Sequence, residues 1–137
     1  MVNLSVRGTV GGGNVLIPAF VVSGGSRLVL MRVVGPGLAQ FGVSGTLARP
    51  ILDLYQHDAL VATNEGWRNG FEPDAVHARS MMVGAFPLNS QSADSAVLKA
   101  LSSGAYIIEA RGAGSGTGIA LIEIYDANGI EKPVLTP

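Results

Sequence analysis

The chain has 137 residues, a length that favours a single domain with its own core. It contains no cysteine, which excludes disulfides and thiolate metal sites. Only 14% of the residues are charged, the net charge is −1 and the arginines are scattered singly, so we expect no nucleic-acid partner. The longest apolar stretch, residues 15–22, is too short to cross a bilayer, so we expect no membrane insertion.

Turn-forming residues separate short apolar and β-branched runs along the chain, a spacing typical of sandwiches and barrels. Pro18 favours an edge or a bulge in the second run. Residues 27–34 are apolar on both faces, so we expect this strand to be central and covered on both sides. We predict strands over residues 3–10, 15–23, 27–34, 51–55, 60–63, 96–101, 105–111 and 119–125.

Two segments between these strands have other signals. Pro73 suits the first residue of a helix, and Glu72 and Asp74 lie at its positive end, so we predict a short helix over residues 73–82 across one end of the sandwich. Residues 38–46 read as irregular, with one helical turn anchored by Phe41. The sequence therefore predicts an all-β protein, an antiparallel two-sheet β-sandwich of jelly-roll or immunoglobulin-like type with one short helix. We expect one domain over residues 1–130 and a linker or tail over 131–137.

A series of short motifs runs through almost the whole chain. They are Val2-Asn3-Leu4-Ser5-Val6-Arg7-Gly8, Val15-Leu16-Ile17, Phe20-Val21-Val22, Met31-Arg32-Val33-Val34-Gly35-Pro36-Gly37-Leu38, Phe41-Gly42-Val43, Asn64-Glu65-Gly66-Trp67, Val83-Gly84-Ala85-Phe86-Pro87-Leu88, Gly104-Ala105-Tyr106 and Thr117-Gly118-Ile119-Ala120-Leu121-Ile122-Glu123-Ile124-Tyr125-Asp126. Their order resembles a β-sandwich module of large secreted proteins of environmental bacteria, often C-terminal and sometimes repeated. The chain departs from it at Gly37, where serine is usual, and at the His57-Asp58 turn, which is usually glycine-rich.

That resemblance implies an exported accessory module and no defined activity. We therefore expect an extracellular or cell-surface location. Residues 1–8 lack the charged and apolar regions of a signal peptide, so the export signal would lie outside the sequence given.

The sequence contains no motif typical of a catalytic site. A nucleophilic triad needs a base beside the nucleophile, yet the two histidines, His57 and His77, lie in a predicted turn and on the predicted helix. The glycine-rich run over residues 112–118 precedes a strand rather than a helix, so it reads as a hairpin loop and not as a phosphate cradle. We expect no enzyme, no catalytic residue and no cofactor.

Two segments invite a ligand interpretation beside a structural one. Asp126, Asn128 and Glu131 are spaced as calcium ligands are, but a plain β-turn is the favoured interpretation and we assign no metal. Trp67, with Asn64 and Arg68 nearby, could stack on a sugar ring. A single tryptophan is more often a packing plug over the end of a sandwich, and we place that interpretation first.

Charged residues within the predicted strands are the most informative polar feature. Arg32 lies inside an apolar run, and a buried charge is tolerated when it is paired. We predict a structural ion pair between Arg32 and an acid on another strand, Glu123 or Asp53 first.

Two function hypotheses follow. Low charge, high apolar content and strands apolar on both faces favour a non-enzymatic structural or assembly module, forming a homo-oligomer or packing against neighbouring domains. The alternative is a carbohydrate-binding or adhesion module that holds a polysaccharide with Trp67 and its neighbouring loops.

Overall fold

The computed structural model describes residues 3–128 and the backbone of residues 135–136, and these residues form nine strands and one α-helix. The helix, α1, spans Pro73–Met82, as predicted, and short 3-10 helices span Pro36–Phe41 and Trp67–Asn69. The strands are β1 (Asn3–Val10), β2 (Ala19–Val22), β3 (Arg27–Val34), β4 (Pro50–Gln56), β5 (Ala59–Glu65), β6 (Ser95–Leu101), β7 (Gly104–Gly112), β8 (Gly118–Asp126) and β9 (Leu135–Thr136).

The strands form two antiparallel sheets. The four-stranded sheet has the order β1-β8-β3-β6, and the five-stranded sheet has the order β5-β4-β7-β2-β9. The predicted all-β, two-sheet sandwich with one short helix is therefore confirmed. β5 and β6 are consecutive strands in the sequence, but each is an edge strand of a different sheet.

A buried core fills the space between the sheets. Alternate residues of each strand point into it because successive side chains of a strand lie on opposite faces. From β7, the core receives Tyr106, Ile108 and Ala110. The other strands contribute Phe20, Val22, Val29, Met31, Val33, Leu52, Leu54, Ile122 and Ile124.

A second buried cluster covers the outer face of the four-stranded sheet. Leu30 and Val34 on the other face of β3 belong to it, together with Val76 of α1 and Trp67. The prediction that β3 is covered on both sides is confirmed. The helix packs against β3 and β6 rather than across the end of the sandwich, because the apolar outer face of β3 needs that cover.

Two local expectations are corrected. The second strand begins at Ala19 instead of residue 15, since Pro18 cannot donate a backbone hydrogen bond. The Pro18 and Leu16 carbonyls still accept hydrogen bonds from Ile108 and Ala110 of β7. Leu38, and not Phe41, anchors the turn after β3, since Leu38 is buried and Phe41 is exposed.

The expected linker over residues 131–137 falls mostly outside the described residues. Its residues 135–136, however, form β9, which pairs with Val21 and Val22 of β2. These two residues therefore belong to the sheet, and the expected boundary at residue 130 is wrong for them. Within the described part of the chain, no helix has the length and apolar character needed to span a membrane.

Candidate functional site

Two adjoining clefts flank the loop of residues 87–93. The first, the amide cleft, has a volume of about 520 Å³ and is lined by Pro36, Gly37, Gln40, Pro87, Leu88, Asn89, Gln91 and Ser92. The second, the arginine cleft, has a volume of about 380 Å³ and is lined by Arg49, Glu65, Gly66, Arg68, Asn69, Ser90, Gln91, Ser92 and Ala93. Gln91 and Ser92 line both, so the clefts form one concave surface.

The buried carboxylate of Asp94 holds two residues of the amide cleft, Gly37 and Ser92. Its Oδ1 accepts the backbone N–H of Gly35 at 2.7 Å and that of Gly37 at 3.1 Å, and its Oδ2 accepts the hydroxyl of Ser92. These three donors satisfy a charge that burial would otherwise penalise. The loop after β3 and the loop before β6 are thereby joined.

The two glycines are required by close approach. A Cβ on Gly35 would lie 2.0 Å from the Leu47 carbonyl oxygen. A Cβ on Gly37, where the resembling module usually has serine, would lie 2.7 Å from Asp94 Oδ2. The departure at Gly37 therefore leaves space for the Asp94 carboxylate.

Trp67 is hydrogen-bonded to the loop between the two clefts. Its indole is only 2% exposed, and Nε1 donates a hydrogen bond of 3.0 Å to the carbonyl of Asn89. Its backbone N–H donates to the Asp94 carbonyl at 2.8 Å. The packing interpretation of Trp67 is confirmed, and the expectation that its ring stacks on a sugar is wrong because the ring offers no open face.

Of the other two predicted ligand residues, only Arg68 lines the amide or the arginine cleft. Asn64 is buried: its side-chain amide donates to the Gly66 carbonyl at 3.1 Å and accepts from the Ala96 N–H at 3.0 Å. That double use corrects the expectation that Asn64 contacts a ligand. Arg68 lines the arginine cleft with its side chain 47% exposed, 3.7 Å from Asp74.

The polar residues that sequence reasoning missed are amides. Gln40, Asn89 and Gln91 are exposed and line the amide cleft. The run Asn89-Ser90-Gln91-Ser92 was the available signal, but its meaning depends on the approach of residues 36–40 from a distant part of the chain.

The arginine cleft contains an exposed ion pair, with Arg49 Nη2 lying 2.9 Å from Glu65 Oε2. Exposed pairs of this kind contribute little to stability. Both groups are therefore accessible to a polar ligand at low energetic cost.

Arg32 forms the buried pair that the sequence predicts. Its Nε lies 2.9 Å from Glu123 Oε1, and its Nη1 donates to the Phe86 carbonyl at 2.8 Å. The guanidinium carbon lies 4.5 Å from the centre of the Phe86 ring. The Tyr125 hydroxyl donates to Glu123 Oε2 at 2.7 Å. Burial and this hydrogen bond both raise the pKa of Tyr125 above its ordinary value.

Asp53 is not a partner of Arg32. It accepts hydrogen bonds from Arg111 Nε at 2.6 Å and from the Thr63 hydroxyl at 2.7 Å, on the five-stranded sheet. The alternative pairing is wrong because Arg32 lies in the other sheet. The hydrogen bond to Asp53 raises the pKa of Arg111.

The described residues contain no metal-binding cluster. His57 and His77 are both exposed, and no three histidine, aspartate or glutamate side chains of this part of the chain cluster for a metal. Asp126 Oδ2 pairs with Arg27 at 3.1 Å, and its Oδ1 accepts the Asn128 N–H at 2.9 Å.

Asn128 Oδ1 accepts the N–H of Leu28, so Asp126 and Asn128 bind groups of the protein itself. This use corrects the calcium option for those two residues. Glu131 lies outside the described residues.

No protein-family model matches the chain, and no curated protein is significantly similar to it. The functional argument therefore rests on the fold and on the surfaces it exposes.

Proposed function

We propose that this chain is a non-enzymatic structural module of an extracellular or cell-surface protein and that it assembles with a second copy of itself. The contact surface is the outer face of the five-stranded sheet. The observation that carries the proposal is a line of outward-facing apolar side chains across four neighbouring strands of that face, here called the apolar row.

The strand register defines the apolar row. Leu60 of β5 is opposite Tyr55 of β4, Tyr55 is opposite Ile107 of β7, and Ile107 is opposite Ala19 of β2. Leu60 is 52% exposed and Ile107 is 38% exposed. These residues point outward because Leu54, Ile108 and Phe20, their neighbours along the strands, belong to the core between the sheets.

Further apolar side chains extend the row at one end of the sheet. Val21 of β2 and Ile17 just before it are exposed, as is Val15. Contiguous exposed apolar surface on a soluble domain marks an interaction site. The outer face of the other sheet, by contrast, is covered by α1 and the loops that contain Trp67 and Leu88.

A second copy is the partner that suits this face best. In a two-fold dimer the same patch faces itself, so the apolar row of one copy would cover that of the other. The adjacent positions of the face carry Glu109 and the ion pair of Arg111 with Asp53, so charged groups border the row. The extracellular setting is supported by the order of the motifs, which resembles that of secreted modules.

Light scattering after size-exclusion chromatography tests the assembly. We expect the unmodified chain to form a concentration-dependent dimer and Ile107→Asp to be monomeric. Met81→Asp is the matched control, because Met81 is 57% exposed on α1, which covers the other sheet. A monomer at millimolar concentration, or equal dissociation by both variants, would refute self-association through this face.

A second function, carbohydrate binding, is favoured by one observation. Exposed amides and Arg68 line a single concave surface, and hydrogen bonds to Asp94 and Trp67 hold the loops that form it. Amide and guanidinium groups are suitable partners for sugar hydroxyls. In this proposal the polysaccharide lies in the amide and arginine clefts, and Trp67 acts only as their support.

Polysaccharide pull-down distinguishes this second function. Gln91→Ala and Arg68→Ala should each lower retention, whereas Arg7→Ala, exposed on β1, should not. Unchanged retention in the two cleft variants would exclude the clefts as the binding site.

A further inference from the structure

The adjacent edges of the two sheets enclose a groove. A cavity of about 290 Å³ is lined by residues of β5, among them Ala62 and Thr63, and by residues of β6, among them Val97 and Leu98. A smaller cavity of about 130 Å³ continues along the same strands. Lys99 lines both cavities, so they form one surface, here called the edge groove.

Backbone groups of β6 point into the edge groove. The N–H of Ala96 donates to the Asn64 side chain and so points away from β3. The N–H of Ala127 donates to the Leu28 carbonyl, which places the even-numbered backbone groups of β3 toward β8. Both observations agree with the strand register, in which Leu98 and Ala100 are opposite Leu30 and Leu28.

In an antiparallel pair, alternate residues of a strand direct their backbone hydrogen-bonding groups toward the neighbouring strand. The N–H and carbonyl groups of Leu98 and Ala100 therefore point away from β3, as those of Ala96 do. Since β6 is an edge strand, these groups have no further strand beside them in its sheet. They are free to pair with an added strand.

Apolar side chains line much of the groove, together with the polar residues Gln56, Thr63, Asn64 and Ser102. Val61, Val97 and Leu98 are partly buried, and Phe71, which lines the first cavity, is 87% exposed. Among the described residues Lys99 forms no ion pair, although its position on β6 faces the same side as the buried residues Ser95 and Leu101.

Lys99 is exposed and lines both cavities, so its charge restricts which segments can cover the groove. A strand without an acidic group would bury the charge of Lys99 without a partner, which is unfavourable. A lysine at an edge strand opposes indiscriminate pairing for the same reason. A carboxylate opposite Lys99 removes that penalty.

We propose that the edge groove binds an extended segment of a partner protein, which adds to β6 as a strand and places an acidic side chain against Lys99. This interaction is separate from the proposed self-association, because it uses the strand edges rather than the apolar row. The N–H groups of Leu98 and Ala100 would bind the backbone of the segment, and Lys99 would determine its charge.

Two synthetic peptides test the proposal with the full chain. One is a nine-residue peptide of alternating threonine and valine with a central glutamate, and the other has lysine at its centre. We expect the glutamate peptide to shift the amide NMR signals of Leu98 and Ala100 and to bind at least tenfold more tightly. Lys99→Glu should reverse the preference, and Arg7→Glu, on the opposite edge strand β1, should not change it.

Ala100→Pro tests the backbone contribution. Proline at this position removes an N–H that points away from β3, so the sheet should be retained, as circular dichroism would verify, while peptide binding is lost. Equal affinity for the two peptides, or no shift at Leu98 and Ala100 with either peptide, would overturn the proposal.

Two further outcomes separate the two proposals. If Lys99→Glu changes the dimer mass instead of the peptide preference, a second copy occupies the groove and the proposal is wrong. Ile107→Asp should abolish the dimer and leave peptide binding unchanged.

Discussion

Arg32 of β3 and Glu123 of β8 are direct cross-strand neighbours, and their side chains form an ion pair of 2.9 Å that is almost completely buried. The Phe86 carbonyl and the Tyr125 hydroxyl supply the adjoining hydrogen bonds. Because an unpaired charge at this depth is costly, a shifted register of β3 against β8 would be strongly unfavourable. The pair therefore stabilises one particular alignment of the two central strands.

Loss of Arg32 should destabilise the fold strongly. In Arg32→Ala, Glu123 remains buried without its cation, and we expect the free energy of unfolding to fall by about 3–5 kcal/mol in urea titrations. The control Arg49→Ala breaks an exposed pair and should cost less than about 1 kcal/mol. Similar losses in the two variants would contradict the buried pair.

Alkaline pH should destabilise the protein through Tyr125. Burial and the hydrogen bond to Glu123 raise its folded-state pKa above the ordinary value of about 10. The folded state then binds its proton more tightly than the unfolded state. This contribution to stability is complete below pH 10 or so and is lost as the pH rises toward the folded-state pKa.

Urea titrations between pH 8 and 11 or thereabouts measure this effect. The free energy of unfolding should decline less steeply with pH in Tyr125→Phe than in the unmodified chain. Absorbance at about 295 nm should show that one tyrosine ionises at a higher pH in the native protein than in urea. Identical pH slopes for the two proteins would be inconsistent with a raised pKa.

Trp67 should report on the cover of the four-stranded sheet. It is the only tryptophan and is almost fully buried, so its native fluorescence should be blue-shifted and poorly quenched by iodide. Trp67→Phe leaves the Asn89 carbonyl without its donor and should lower the free energy of unfolding by about 1–3 kcal/mol. Efficient iodide quenching in the native state would refute the buried placement.

Gly35→Ala should be among the most damaging small substitutions. The added methyl group would lie 2.0 Å from the Leu47 carbonyl oxygen, and a backbone atom cannot move away as a flexible side chain can. We expect a loss of about 3 kcal/mol or more in thermal or urea unfolding. Gly12→Asn is the control: Gly12 lies in an open turn with φ +61°, which asparagine tolerates. If Gly35→Ala unfolds like this control, the close approach is not present.

Much of the fold could be predicted because its signals are local. The apolar run over residues 105–111 indicated β7, and the apolar character of both faces of β3 indicated a central strand. Pro73 with its acidic neighbours indicated the start of α1. The candidate site was less accessible, since Gln40 and Asn89 belong to loops far apart in sequence.

The sequence by itself determined most of the strands, the helix and the need of Arg32 for an acidic partner, because periodicity, turn chemistry and the cost of a buried charge act on neighbouring residues. Only the tertiary structure decided which sheet each strand joins. As a result, Arg32 pairs with Glu123 rather than with Asp53. The packing of the sheets likewise places Trp67 in the interior and Phe41 on the surface. The physical reason is that contacts between distant segments depend on the packing of whole sheets, which no local pattern records.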